Sequence, residues 1–279
     1  MSVRRVLSLL CLAVCATALV GCGGDTLSFD PVANAASKTV DTTSSRVQFT
    51  ATMNMDGVGG MTFSGSGVFD GRSRSGELNM RLQLPPDAQV QLGGIDPTMR
   101  MIMDGHAGLV MYMRSPLFAR VAGDRWIKVD MAMLAKKEGV DLNALMNANQ
   151  ADPSQTLDML KASADAHPIG YDRVRGVFTT HYRLNIDLAR LAKENENLRK
   201  MVDTVREMTG TTSYPAEAWI DDAGRVRRMK IDMSFNSPAG GALTMSMTEE
   251  LFAFGTKVDI RPPAASQVLD ASSLVSRGG

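Results

Sequence analysis

The chain has 279 residues, with thirty Lys and Arg against thirty Asp and Glu, so its formal net charge is zero. That balance leaves no basic surplus for nucleic acid or for a strongly anionic surface. Aromatic residues make up 5% while methionine reaches twenty, a skew towards a flexible, polarisable apolar side chain that calls for a physical reason.

Arg4 and Arg5 form a short basic start, and residues 6–20 are apolar except for Ser8 and Thr17. A basic start, an apolar stretch and small residues before a processing point are the three parts of an export signal. The stretch is shorter than the roughly 20 apolar residues a membrane span needs. It ends in Leu19-Val20-Gly21-Cys22, which looks like the lipobox of bacterial lipoproteins. That pattern implies a signal peptide over residues 1–21, a diacylglyceryl group on Cys22, and a chain held at the outer face of the cytoplasmic membrane. Two acyl chains anchor where one cannot. Simple secretion and a retained helical anchor are the alternatives. Cys11 and Cys15 lie in the removed segment, so Cys22 remains without a pair and no disulfide framework supports the fold.

Residues 22–45, rich in Gly, Asp, Ser, Thr and Ala, read as a tether. Within it, Asp30-Pro31 could cap and start a short helix carrying Val32, Ala35, Ala36 and Val40. From Arg46 the apolar period becomes two. Val47, Phe49, Ala51, Met53 and Met55 predict one strand; Met61, Phe63, Gly65, Gly67 and Phe69 a second; Leu78, Met80, Leu82 and Leu84 a third. Short Asp-Gly and Gly-Gly turns join them into an antiparallel meander with one apolar and one wet face. After a loop over 85–97, Met99, Met101 and Met103 alternate, as do Leu109, Met111 and Met113 beyond a turn at His106. Residues 125–130 make a further strand.

The middle changes character. Residues 131–137 and 141–149 look like short helical turns, and Asp152-Pro153 opens a helix through 164. Two strands follow, at 171–175 and 177–187, then a long helix over 188–208 with Gly210 past its end. Ala218 and Ile220 start the last group of strands. Met229, Ile231, Met233 and Phe235 continue it, then Leu243, Met245 and Met247. Pro262-Pro263 ends regular structure and residues 266–279 read as a loose tail. The expectation is a single α+β domain over residues 46–265, one antiparallel sheet of about ten or eleven strands with central helices.

Several of these stretches resemble the actinobacterial LolA-like lipoproteins of the LppX/LprG type. They are the lipobox, Val174-Arg175-Gly176-Val177-Phe178-Thr179-Thr180-His181-Tyr182, Trp219-Ile220-Asp221-Asp222-Ala223-Gly224-Arg225-Val226-Arg227-Arg228, and Val258-Asp259-Ile260-Arg261-Pro262-Pro263. The resemblance covers most of the chain after Cys22, and its motifs are turns and strand edges. It implies a curved half-barrel sheet closed by helices, an apolar cavity for acyl chains and no catalytic residues.

The Met-x-Met pairs at 53/55, 99 to 103, 111/113 and 245/247 each point to one sheet face. Core packing, an adaptable lining for acyl chains and thioether ligation of Cu(I) are the three uses open to them. The lining candidates are Phe49, Met53, Met80, Met101, Met103, Met111, Met113, Met233 and Met245. His106, His167 and His181 are scattered among different elements, and no metal or cofactor is expected. There is no Gly-x-Ser-x-Gly elbow, His-Glu-x-x-His or phosphate loop. Glu249-Glu250 and Asp221-Asp222 are neighbours on strands, whose side chains point to opposite faces. The expectation is a non-enzymatic envelope lipoprotein that binds a lipid or lipidated glycan and carries or presents it. A protein-interaction module with a filled interior is the alternative.

Overall fold

A computed structural model of the chain describes residues 30–42, 44–55, 59–91, 93–106, 110–131, 133, 153–194, 199, 202–203, 206–207, 210–236 and 241–271. Cys22 and the expected signal peptide over 1–21 lie outside these residues, as do 141–149 and most of 131–137 and 195–209. No helix among the described residues is long and apolar enough to cross a membrane.

Helix α1 is Pro31–Val40. Asp30 caps it as its sequence predicts, accepting from the backbone N–H of Val32 at 2.8 Å and of Ala33 at 3.0 Å. The strands are β1 Ser44–Met55, β2 Gly59–Asp70, β3 Ser75–Gln83, β4 Thr98–Asp104, β5 Val110–Arg114, β6 Trp126–Asp130, β7 Ser163–Val174, β8 Val177–Asp187, β9 Ser213–Asp221, β10 Val226–Asn236, β11 Ala242–Phe252 and β12 Val268–Asp270. Between them come helices α2 Pro86–Gln91, α3 Ala119–Ala122, α4 Pro153–Lys161 and α5 Leu188–Glu194.

All twelve strands form one open sheet in the order β12-β6-β5-β4-β3-β2-β1-β11-β10-β9-β8-β7. Neighbours are antiparallel, except that β12 runs parallel to β6 at the edge. The alternating strands therefore lie where the sequence places them. Five details differ. The helix expected through 164 ends at Lys161. The segment 266–279, expected to be loose, contributes β12. The expected tether is shorter, because α1 is formed and β1 already starts at Ser44. The loop after β3 contains α2. Strand β7 begins eight residues before its predicted start, and its register slips between Ala164 and His167 and between Pro168 and Gly170. A proline and two bulges are tolerated there because β7 is an edge strand.

One face of the sheet carries the core. Helix α1 packs on α4 and against β7, β9 and β10, and Val32, Ala36, Leu157, Leu160, Leu184, Ile186, Val226, Met229 and Ile231 are all within 3% of complete burial. Thr39 ties α1 to the sheet: its hydroxyl donates to Ala35 O at 2.6 Å and accepts the Val226 N–H at 2.8 Å.

The opposite face was expected to be wet over β1–β3, and there it is. Over β4–β6 it buries a second cluster of Ile102, Val110, Tyr112 and Trp126, with Ile260 and Val268 packed onto it. The C-terminal segment crosses this face to reach the β6 edge. On the same face, Arg175 in the β7–β8 turn donates to Glu250 on β11 at 2.7 Å and also to Gln48 on β1. In a flat sheet β8 and β1 would lie four spacings apart, about 19 Å. The contact requires the sheet to coil strongly.

A half-open methionine face

The ladder registers place all nine candidate lining residues on the core face. Met53 pairs with Met245 and Met61, and Met245 pairs with Met233. Phe49 pairs with Gly65, Gly65 with Met80, and Met80 with Met99. Met101 pairs with Met113, and Met103 with Met111. Period two alone brings residues from six strands onto one surface.

Burial divides that surface along the strands. Near the start of β1, Val47, Leu78, Met101, Met103 and Leu251 are 1–4% exposed and belong to the packed cluster. Towards the other end Phe49, Met53, Met80, Met233 and Met245 are half-buried, as are Met111 and Met113 on β5, which lie level with Met103 and Met101, and Met55 and Phe63 reach 43% and 39% exposure. Met101 and Met103 are thus core, and the other seven candidates face partly open space. Two recesses lie at the open end. One of about 730 Å³ is lined by Met80 and Met99 of this face, by Asn79, Thr98, Arg100 and Arg114 at the alternate positions that belong to the opposite face, and by the 115–124 turn. The other, of about 390 Å³, is lined by Tyr214, Met233 and Met245 together with Thr52, Asn54, Asp232, Ser234, Thr244 and Ser246 at the alternate positions of the same strand ends.

The face has two irregularities. Phe49 lies against Gly65, where a side-chain carbon would sit 2.6 Å from its ring. Close approach is the use of that glycine. Glu249, 5% exposed, stands on the same face opposite Phe49 and Met229. Its neighbour Glu250 points to the other face, where Arg228 and Arg175 bind it. Burial alone would raise the Glu250 carboxyl, but hydrogen bonds from Arg228 and Arg175 hold it below its ordinary value. Asp221 is similar: burial is outweighed by the backbone N–H of Arg225 and the guanidinium groups of Arg227 and Arg225. Neither pair of neighbouring carboxylates forms an acid-base site.

Sequence reasoning missed Tyr214. Its phenol is raised above the usual 10.0 by burial. The alternation Tyr214, Ala216, Ala218 was available as a signal, but Pro215 between them reads as a break. The three histidines stay apart. His181 stacks on Trp219 at 4.1 Å and meets Glu217 Oε2 at 2.8 Å on the outer face. His106 sits in the β4–β5 turn beside Asp104, and His167 on the β7 edge.

No family model matches the chain. A Streptomyces griseus protein, described as an uncharacterized 31.2 kDa protein in the rplA-rplJ intergenic region, is 29% identical over 175 residues, 60% of this chain and 55% of that protein. The chain thus spans about half the length of that relative. Among solved structures, LprF from Mycobacterium bovis aligns with 84% of this chain and 96% of its own, at 17% identity and a TM-score of 0.44. The Mycobacterium tuberculosis lipoprotein LppX aligns with 83% of this chain and all of its own, at 14% identity and a TM-score of 0.47. For a LolA superfamily protein from Nitrosomonas europaea the coverage is 85% and 94%, the identity 6% and the TM-score 0.29. Along more than 80% of its length the chain is similar to LprF and LppX.

Proposed function

We propose that this chain is a membrane-tethered envelope lipoprotein that holds the acyl chains of a lipid or lipidated glycan and carries or presents them. The observation that supports this is one methionine-rich sheet face that is packed around Met101 and Met103 and half-open at its other methionines, with recesses reaching it beside Met80 and Met99 and beside Met233 and Met245. Acyl chains laid on the open end leave water for Met and Phe side chains, at ~0.8 kcal/mol per buried methylene. Methionine suits this use because its unbranched thioether repacks around varied chain shapes. A polar headgroup stays at the rim. Acylated Cys22 keeps the protein beside its source of lipid.

Organic extraction of purified protein, followed by mass spectrometry, tests the proposal. Lipid should co-purify with the unaltered chain and be lost from a folded Met245→Glu or Met111→Glu variant. Retention unchanged in both folded variants would overturn it.

A protein-interaction role is favoured by one separate feature. Tyr171 and Phe178 stack at 5.4 Å on the β7–β8 hairpin, 73% and 44% exposed, beside β7 at the edge of the sheet. Such an edge can take an added strand from an envelope partner. Tyr171→Asp should weaken capture of that partner without changing lipid retention.

A further inference from the structure

The chain enters the fold at the same end of the sheet as the open end of the methionine face. Asp30 caps α1 and accepts a hydrogen bond from the Ser163 hydroxyl at the start of β7. The Ser163 carbonyl in turn accepts from Arg190. Ser163 pairs with Ile186 and Ile186 with Tyr214, and Tyr214 shares a recess with Met233 and Met245. Asp30 is therefore fixed at the mouth and not at the packed end, where Thr39 and Val226 meet.

Eight residues lead from Cys22 to Asp30, a contour of at most about 29 Å. If Cys22 sits in a bilayer, as the proposed function requires, the mouth is held within that distance of the membrane surface.

The rim of the mouth has the chemistry for contact. Among the described residues, Met55, Phe63, Val90, Ile95, Leu117 and Val121 are large apolar side chains exposed at this end, Val90 by 79% and Val121 by 58%. They come from the ends of β1 and β2, from α2 with its following loop, and from the 116–122 turn. The two rim loops carry Asp87, Asp96 and Asp124 against Arg120 and Arg125, so no cationic patch accompanies them. We infer that this rim docks on a phospholipid bilayer through its apolar side chains, with the mouth of the methionine face turned towards the lipid. Side chains at this depth partition into the headgroup and acyl boundary by apolar area. A lipid can then pass between bilayer and sheet face without crossing open water.

The inference rests on Cys22 as the anchor, and its test separates the two. Acylated protein with Val90→Cys, Val121→Cys or Tyr171→Cys, each bearing a nitrobenzoxadiazole label, is reconstituted into phosphatidylcholine vesicles. The mass of the Cys22 peptide reports acylation independently. Labels at 90 and 121 should shift to the blue and be quenched by lipid-borne quencher, while the label at 171 stays aqueous. Equal aqueous exposure at all three positions in acylated protein would overturn the docking and leave the anchor standing. Unacylated Cys22→Ser protein is tested by flotation with the same vesicles. A folded Val90→Asp/Val121→Asp variant should partition about tenfold less, and an unchanged partition, or none for the parent, would overturn it. A blue shift that follows protein concentration without vesicles would assign the rim to a second copy of the chain instead.

Discussion

The ring of Phe49 rests on the backbone of Gly65 across the β1–β2 ladder, so close that a side-chain carbon at position 65 would come within 2.6 Å of it. Gly65 is also within 3.0 Å, on the same measure, of the Asn79 carbonyl on β3. The glycine therefore sets the depth at which the aromatic ring lies in the apolar face. Gly65→Val should push the ring outward and cost about 1–3 kcal/mol, as overpacking does. Urea unfolding measures the loss, and the midpoint should fall with an unchanged slope.

Met103 and Met53 share a face but not a role. Met103 is 1% exposed within the packed cluster, so Met103→Ala should cost about 2–5 kcal/mol through lost transfer energy and the cavity left behind. Met53 is half-buried near the open end, so Met53→Ala should cost clearly less while reducing lipid retention. Thermal unfolding and lipid extraction on both variants check this. A Met53 variant as unstable as the Met103 variant would show the open end to be ordinary core.

Thr39→Val removes the hydroxyl that accepts the Val226 N–H at 2.8 Å and preserves the side chain's shape. The buried amide is left without that bond, a cost of about 1–3 kcal/mol. Amide hydrogen exchange should accelerate at Val226 and along α1 before the rest of β10. Asp30→Ala at the other end of α1 should cost about 1 kcal/mol as a lost cap and loosen the link to Ser163.

Acid should destabilise the chain through its paired carboxylates. The folded Asp221 and Glu250 carboxyls lie below their ordinary values of 3.8 and 4.5. A depressed folded value means that the unfolded state binds protons first as pH falls. Their stabilisation is thus fully present above the ordinary values and is lost as pH drops through the lower folded ones. Urea midpoints at neutral pH and through the acid range should show this decline, and Asp221→Asn should flatten it while lowering stability at neutral pH.

Most strands were legible because a half-buried sheet writes its face into every second residue. Met53, Met80 and Met245 could be assigned to one surface from spacing alone, and the ladders agree. The single sheet with helices on one face, implied by the family resemblance, is also what the structure has. The first half of β7 was hidden, since Pro168 and the exposed His167 and Tyr171 give an edge strand no alternation to read. Residues 268–270 were hidden for another reason: β12 forms only against β6, more than a hundred residues earlier. The same long-range contact makes the outer face around Trp126 a small core. Which end of the methionine face stays open was not legible either. It depends on where α1 and α4 lie, and a strand pattern carries no information about what covers it.

The division of that face has a chemical consequence. Thioethers oxidise to sulfoxides where oxidant reaches them, turning a flexible apolar side chain into a polar one. Met101, Met103 and Met229 are shielded at 4%, 1% and 1% exposure, whereas Met55 at 43% and its half-buried neighbours are not. Mild peroxide would therefore convert the mouth while sparing the floor, leaving a folded protein whose surface no longer favours hydrocarbon. A protein working outside the cytoplasm would depend on sulfoxide reduction to restore it.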